Sequence, residues 1–414
     1  MNRIVYFLCV SLALTNVSFF PIGFTKFTLF HAMAIIFLGY LTIRRFQGLA
    51  ANIKISVTLF FLSFYIAISN LFFSSNFKVT SLIYSIIIII ELIILDNISR
   101  KLEVEDIKKI IKTVILLFFL STFFSFLLIV LNITPTGVWS TIFQIYNDGK
   151  QIRPMGLSSE PSYAAIILVF SLYVLVRCDN FLFKAKEGPW YALSIITIFL
   201  SGSSYGYALL SIFLIFFVIK SNLLSVIFKF LLKSRGIGNV VLAIFALGLI
   251  VFLFNSESKP FQRLVNVFFI LSETGLNITT GLFKIAYTDS SAGMRIVPTL
   301  QLIDHFAASD TVYVLFGMGA GQSAYFYSEL WGQLTLVGFI PAFIYNYGII
   351  GTLVSLFCLR FFFPKKGLLL TTMFFLFLFN ADFNTQIFVY VLFTSMLAKQ
   401  IEILNAPQSK LVVL

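Results

Sequence analysis

The sequence predicts an all-α polytopic membrane protein, and three observations predict it. Of 414 residues, 59% are hydrophobic and only 11% are charged, whereas soluble domains carry roughly 45–50% apolar and about 25% charged residues. Mean hydropathy is +0.99. The apolar residues fall in long runs, such as the one from Leu82 to Leu95, and runs of about 18 or more read as helices that cross a bilayer. Soluble enzymes, disulfide-stapled secreted scaffolds and disordered tails are excluded by the same figures.

In chain order the runs place twelve spans at about 4–23, 27–43, 55–73, 79–97, 111–133, 162–178, 189–203, 204–219, 237–254, 334–359, 367–380 and 385–403. The whole chain, 1–414, reads as one transmembrane domain. Spans seven and eight are short and separated only by Ser201-Gly202-Ser203-Ser204. Were they one helix, every later segment would change sides, and the positive-inside rule decides between the two readings. With twelve spans and a cytosolic N-terminus, the outer basic residues are Lys26, Lys78, Lys150, Arg153, Lys259, Arg263, Lys284 and Arg295. The other 21 of the 29 face inward. Merging the pair would put Arg360, Lys365 and Lys366 outside, so the two stay separate.

The net charge of +12 is therefore mainly a topology signal facing anionic inner-leaflet lipid, not a footprint for nucleic acid. The first span follows Arg3 and resembles a signal peptide, but it lacks a small-x-small cleavage site and eleven spans follow it. It is expected to be retained. Cys9, Cys178 and Cys358 fall in the inner halves of spans, so no disulfide is expected. The 52 Phe residues read as apolar filler.

Two outer loops are long, 134–161 and 255–333, and long ordered loops are usually functional. In the second, Pro260 to Glu273 sets Gln262, Arg263, Asn266 and Glu273 at helical spacing against Phe261, Leu264, Val265, Phe268, Phe269 and Leu271. That pattern suits a helix lying in the interface. A second amphipathic helix is expected from Met294 to Ala308, with Ile296, Leu300, Ile303 and Phe306 as its apolar stripe and Gln301, Asp304 and His305 off it. Gly317-Met318-Gly319-Ala320-Gly321 then forms a turn, serving either as a phosphate approach for backbone amides or as a hinge needing positive φ.

Arg153 and Arg295 stand out among the outer residues, because a guanidinium matches diphosphate oxygens in a bidentate way and stays charged. Arg153 could instead pair with Glu160, and Arg295 with Asp289 or Asp304. Glu160 before Pro161 also fits a plain helix start. His305 has the unperturbed pKa of a general base near neutrality, with Glu329 and Asp304 as rivals for that role. Glu91 interrupts the fourth span, either as a carboxyl satisfied inside the bundle or as a proton relay. His31, inside the second span, is expected to hydrogen-bond a neighbouring helix. Asn380, Asp382 and Asn384 cluster in an outer turn and could line a site mouth. No Asp-x-Asp motif or His/Cys ligand spacing is present, so neither metal nor cofactor is expected.

Four passages together resemble the Wzy family of bacterial O-antigen polymerases and, more distantly, the O-antigen ligases. The first runs from Arg153-Pro154-Met155-Gly156 to Glu160-Pro161-Ser162-Tyr163 at the entry to a span. The second is the short double span around Ser201-Gly202-Ser203-Ser204. The third is Ser291-Ala292-Gly293-Met294-Arg295 followed by Phe316-Gly317-Met318-Gly319-Ala320-Gly321, and the last is Tyr347-Gly348-Ile349-Ile350-Gly351. Their order covers nearly the whole chain. Two departures are visible: Gly202 stands where many relatives carry arginine, and no histidine lies near Val337, where ligases typically have one. The second departure favours polymerase over ligase.

The resemblance implies a GT-C-like architecture in the bacterial inner membrane, with both termini cytoplasmic and the active site facing the periplasm. The substrate would be an oligosaccharide repeat unit on undecaprenyl diphosphate, and the growing glycan would pass to the non-reducing end of the next unit. Arg153 and Arg295, with Arg263 in reserve, would hold the diphosphate. His305, Glu329 and Asp304 compete as base, and Glu160, Tyr163, Gly317, Gly319 and Asp382 are further cavity candidates. Membrane lipid, a chain-length regulator of the Wzz type and a flippase are the implied partners. A ligase is one alternative. A transporter of the same lipid-linked units is the other, disfavoured by external loop mass and nearly charge-free spans.

Overall fold

A computed structural model describes residues 2–43, 53–73, 77–147, 152–221, 269–270, 284, 290–331 and 338–406, apart from positions 16, 23, 24, 137, 138, 159, 183, 382 and 384. It is mostly helical and divides into two compact units, Met1–Val114 with Ala286–Leu414, and Ile115–Ile285. Among the described residues, six helices are long and apolar enough to cross a membrane: Ile55–Phe72, Val79–Ser99, Val104–Val130, Pro161–Cys178, Phe339–Phe362 and Gln386–Leu404. Shorter apolar helices cover Leu29–Tyr40, Gly188–Ser201, Ser204–Lys220 and Leu368–Phe377. Their outward faces are apolar too, as at Phe60, Phe61 and Phe64, which are more than half exposed. Water would not tolerate such a surface and lipid requires it. The chain is an all-α membrane protein.

The first unit opens with α1 (Arg3–Ser11), N-capped by Asn2, whose side chain accepts the Ile4 amide. The expected span 4–23 is thus not one helix. After Ser11 the chain turns and forms an antiparallel hairpin, β1 (Ser18–Ile22) with β2 (Thr25–Thr28). Pro21 has no amide to donate to a helix and suits a two-stranded ribbon. The carbonyls left at the end of α1, on Ser11 and Leu12, accept from Gln386 Nε2 at 3.1 and 2.7 Å, so the early helix stop leaves no orphan there.

Helix α2 (Leu29–Ile43) starts with a variant of the capping box. The Thr28 amide donates to Nδ1 of His31 at 3.0 Å, which assigns the proton of the neutral ring to Nε2. That nitrogen meets the Tyr84 hydroxyl at 3.0 Å and Glu91 Oε1 at 3.7 Å, both on α4 (Val79–Ser99). His31 therefore bonds a neighbouring helix as the sequence leads one to expect, and the carboxyl of Glu91 is buried against it.

The centre of this unit is an interrupted helix. Helix α3 (Ile53–Ile68) ends in a π-turn, Ser69–Phe73. After α5 (Val104–Val130), which leads into the second unit, the chain re-enters the first one at α10 (Ser290–Ala307), α11 (Thr311–Phe316), α12 (Gln322–Trp331), α13 (Phe339–Leu359), α14 (Leu368–Phe377) and α15 (Gln386–Leu404). Helix α13 breaks at Gly348, with φ 70° and ψ −178°, a combination essentially confined to glycine. The carbonyls freed by the break are taken up at once. Tyr345 O accepts the Met318 amide, Asn346 O the Gly319 amide and Tyr347 O the Tyr65 hydroxyl, at 2.8, 2.9 and 2.9 Å. The glycine turn thus docks on the kink. Gly317 and Gly348 approach so closely that a Cβ on either would lie 2.1–2.4 Å from opposing backbone atoms.

The ends of α4, α13 and α15 meet. Gln400 Nε2 donates to Arg100 O and Lys399 Nζ to Phe361 O, while Arg100 pairs with Asp96 at 2.8 Å. Lys109, in the first turns of α5, lies over the Tyr6 ring of α1 at 5.4 Å.

In the second unit, α6 (Trp139–Ile142) precedes a hairpin of β3 (Gln144–Asn147) and β4 (Ile152–Gly156). Helices α7 (Pro161–Cys178), α8 (Gly188–Ser201) and α9 (Ser204–Lys220) follow. Helix α7 is sheathed, with almost every side chain buried, which explains why its apolar residues show no stripe. Spans seven and eight are two helices. Gly202 closes α8 in the left-handed conformation at φ 61°, and the Ser203 hydroxyl accepts the Gly206 amide to cap α9. At the other end, Arg177 and Lys220 both lie over the Phe181 ring, at 5.5 and 5.9 Å, and Lys184 pairs with Asp179. The expected span 237–254 and the amphipathic helix 260–273 lie outside the described residues apart from positions 269 and 270.

Gly348→Ala should cost at least the roughly 1–3 kcal/mol of a residue forced into this backbone region, because the new methyl also meets the Leu315 carbonyl. Detergent thermal stability followed by size exclusion would check this, and wild-type melting would contradict the docked-turn geometry.

Candidate functional site

Strand β4 places Arg153 opposite Tyr146 in the hairpin register. The motif then folds back on itself. Gly156 has φ 60°, and a Cβ there would lie 2.7 Å from Ser121 Oγ and 2.8 Å from Thr122 Oγ1, so the glycine is what lets the strand lie against α5. The Ser158 hydroxyl donates to the carbonyls of Met155 and Glu160. Glu160 is the extended N-cap residue of α7, with Pro161 in the first turn. Its carboxylate accepts from the Ser162 hydroxyl at 3.0 Å, and a negative charge suits this helix end. Tyr163 is buried.

The half-buried guanidinium of Arg153 reaches the turn between α8 and α9. Its Nη1 donates to Gly202 O at 3.3 Å, at the carbonyl end of α8, where the helix dipole favours a cation. The side-chain stem crosses Gly202 so closely that a Cβ there would sit 3.2 Å from Arg153 Cδ. Tyr207, whose hydroxyl donates to Phe199 O across the helix pair, lies within electrostatic range of the same guanidinium. Where the resemblance leads one to expect an arginine after Ser201, Gly202 leaves the space that the stem of Arg153 fills. The sequence alone gave no reason to couple two positions 49 residues apart. A glycine just past a helix, however, is a recognisable left-handed stop.

His305 lies near the end of α10. Its ring packs on Phe326 of α12 and Tyr345 of α13, with centroids 4.8 and 5.4 Å away, and those two rings stack on each other at 4.5 Å. Tyr327, fully buried, donates its hydroxyl to Pro298 O at 3.1 Å, which pins α10 to α12 from a second point. Burial lowers the His305 pKa, keeping the imidazole neutral near pH 7, and Nε2 has no hydrogen-bond partner among the described residues. Asp304, its neighbour, is exposed.

Glu329 is on α12 and Arg295 on α10, but their side chains lie outside the described residues, as do Arg263 and Asp382 altogether. Gly317 and Gly319 sit in the turn docked on α13. The amides of Gly317, Met318, Gly319 and Ala320 donate to Tyr313 O, Tyr345 O, Asn346 O and Asn70 Oδ1. Of the two readings of the glycine turn, the structure matches the one needing positive φ, since those amides are already engaged.

Within the second unit, then, Arg153 comes together with the helix turn at Gly202 and with Tyr207. Within the first, His305 is brought into an aromatic cluster, and the glycine turn is locked to the kink. Compared with family models, with curated proteins and with solved structures, the chain finds no match in any of the three.

The lowered His305 pKa has a definite sign. Because the folded state binds this proton less readily than the unfolded chain, its contribution to stability is present above the ordinary histidine pKa of about 6.5 and falls as pH drops below it. Melting should therefore weaken from pH 7.5 to 5.5, and less so in His305→Phe, which keeps the ring stack and removes the titration. Identical losses in both proteins would contradict the packing described.

Proposed function

We propose that this chain is a membrane glycosyltransferase that polymerises undecaprenyl-diphosphate-linked oligosaccharide repeat units, as the Wzy-type polymerases do. In this reading the chain makes twelve spans of GT-C-like architecture in a bacterial inner membrane. The basic ends of its helices face the cytoplasm with both termini, and the active site opens to the periplasm. The supporting observation is the placement of Arg153. It is half-buried, at the end of its unit opposite the Arg177, Lys184 and Lys220 cluster, beside the turn of the short helix pair.

The chemistry follows from that placement. Transfer of the glycan breaks the bond between its anomeric carbon and the diphosphate, and the negative charge that accumulates on the leaving oxygen is stabilised by fixed cations in a partly dehydrated site. Arg153 takes this role, with Arg295 and Arg263 carried forward from the sequence as further diphosphate ligands. The incoming sugar hydroxyl loses its proton to a base as the new bond forms. A neutral imidazole can accept that proton, and His305, Glu329 and Asp304 are the candidate bases. The polyprenyl carrier stays in the bilayer throughout, and the sugar is already activated by its diphosphate, so no nucleotide sugar is used.

Arg153→Ala, and separately Arg295→Ala, should abolish chain extension while leaving protein abundance in the membrane unchanged. Gel electrophoresis of surface polysaccharide reads this as a collapse of the ladder to single repeat units. Near-normal ladders from either variant would refute that arginine's role. His305→Ala should likewise lose the ladder, and a working variant would move the base to Glu329 or Asp304.

A further inference from the structure

The second unit contains a cleft of about 410 Å³ between the end of α5 and the β3–β4 hairpin. Leu128, Ile129, Ile133 and Ile152 give it apolar walls, and Asn132 and Gln144 are among its polar residues. We propose that this cleft is a binding subsite for an uncharged sugar of the glycan substrate. The identity of that glycan rests on the polymerase reading; the binding itself does not.

Four observations lead there. First, no charged residue is among the described residues that line the cleft, and among these an ionised ligand would find no compensating charge. Second, Asn132, Thr134 and Gln144 line it, and none of their side chains has a hydrogen-bond partner among the described residues. A carboxamide both donates and accepts, as a sugar hydroxyl does, whereas an acyl chain does neither. Third, the site is built. Asn132 is held in the left-handed conformation at φ 54°, and the Ile133 amide returns to Leu128 O at 2.9 Å, so the helix end that presents the amide is closed and fixed.

The fourth observation is depth. Helix α5 begins with Lys108, Lys109 and Lys112 at one end. Counting from there at about 1.5 Å per residue, a hydrocarbon layer of roughly 30 Å is crossed after some twenty residues, at Asn132 and Ile133. The cleft thus opens at headgroup level on the far side, where the first sugars of a lipid-linked glycan lie. Ile152 lines it and Arg153 is the next residue of the same strand. Phosphate recognition and sugar recognition are thereby carried by one hairpin.

The test uses the full-length protein in amphipol, free of sugar-headed detergent, and saturation-transfer NMR. The probes are methyl glycosides of neutral hexoses, 6-deoxyhexoses and N-acetylhexosamines, with methyl glucuronide as the charged control and 1-octanol as the apolar one. At least one neutral glycoside should receive saturation, and methyl glucuronide should receive none. Binding should weaken about three- to tenfold in Gln144→Leu and in Thr134→Val, the worth of one neutral hydrogen bond. Two variants at separate points of the rim guard against misfolding of one. Transfer to octanol alone would make the cleft a lipid groove and overturn the proposal, as would transfer to no glycoside, or equal transfer in wild type and both variants. Polymer formation without sugar contact at the cleft would sink this inference and leave the polymerase reading standing. Sugar contact in a protein that makes no polymer would do the reverse.

Discussion

A backbone amide or carbonyl inside hydrocarbon has no water to turn to, and the interrupted helix α13 shows how this chain meets that constraint. Breaking a membrane helix at Gly348 exposes carbonyls that would each cost several kcal/mol if left bare. The glycine turn and Tyr65 take up those of Tyr345, Asn346 and Tyr347. The arrangement demands glycine on both sides, because the two backbones come within contact of each other. It also demands the partners that hold the turn, Asn70 bonding the Ala320 amide and Ser69 the Phe316 carbonyl. The same rule explains why α1 can stop after nine residues, since Gln386 closes the end.

The second unit solves a different problem, that of holding a half-buried cation. Arg153 arrives on a hairpin, lays its stem across a glycine and directs a donor at the carbonyl end of α8. In the proposed function, a guanidinium held at a helix terminus in this way is a ligand for diphosphate oxygens. Gly202 is the residue that makes room.

Much of this was legible in the sequence, and the failures have physical causes. Hydropathy located membrane depth, and glycine and serine between two short runs divided α8 from α9. Glu160 before Pro161 marked the start of α7, and His31 bonds a neighbouring helix. Hydropathy does not, however, distinguish a helix from a ribbon at the same depth. The stretch after Ser11 therefore looked helical although Pro21 sits in a strand. The kink at Gly348 was present as a Tyr-Gly-x-x-Gly motif, but the turn that docks on it lies some thirty residues earlier, and no local rule links the two. Arg153 could be chosen for its chemistry; its partner Gly202 could not. Asn132 and Gln144 carried no signal, because only folding brings ordinary amide residues together at one cleft.

The most direct test of the account is reconstitution of the purified full-length protein with undecaprenyl-diphosphate-linked repeat units, with no other protein and no nucleotide sugar added. The account predicts a ladder of lengthening glycan, with one free undecaprenyl diphosphate released for each unit joined. Recovery of the repeat units unchanged, or their passage across a proteoliposome bilayer without any joining, would contradict it.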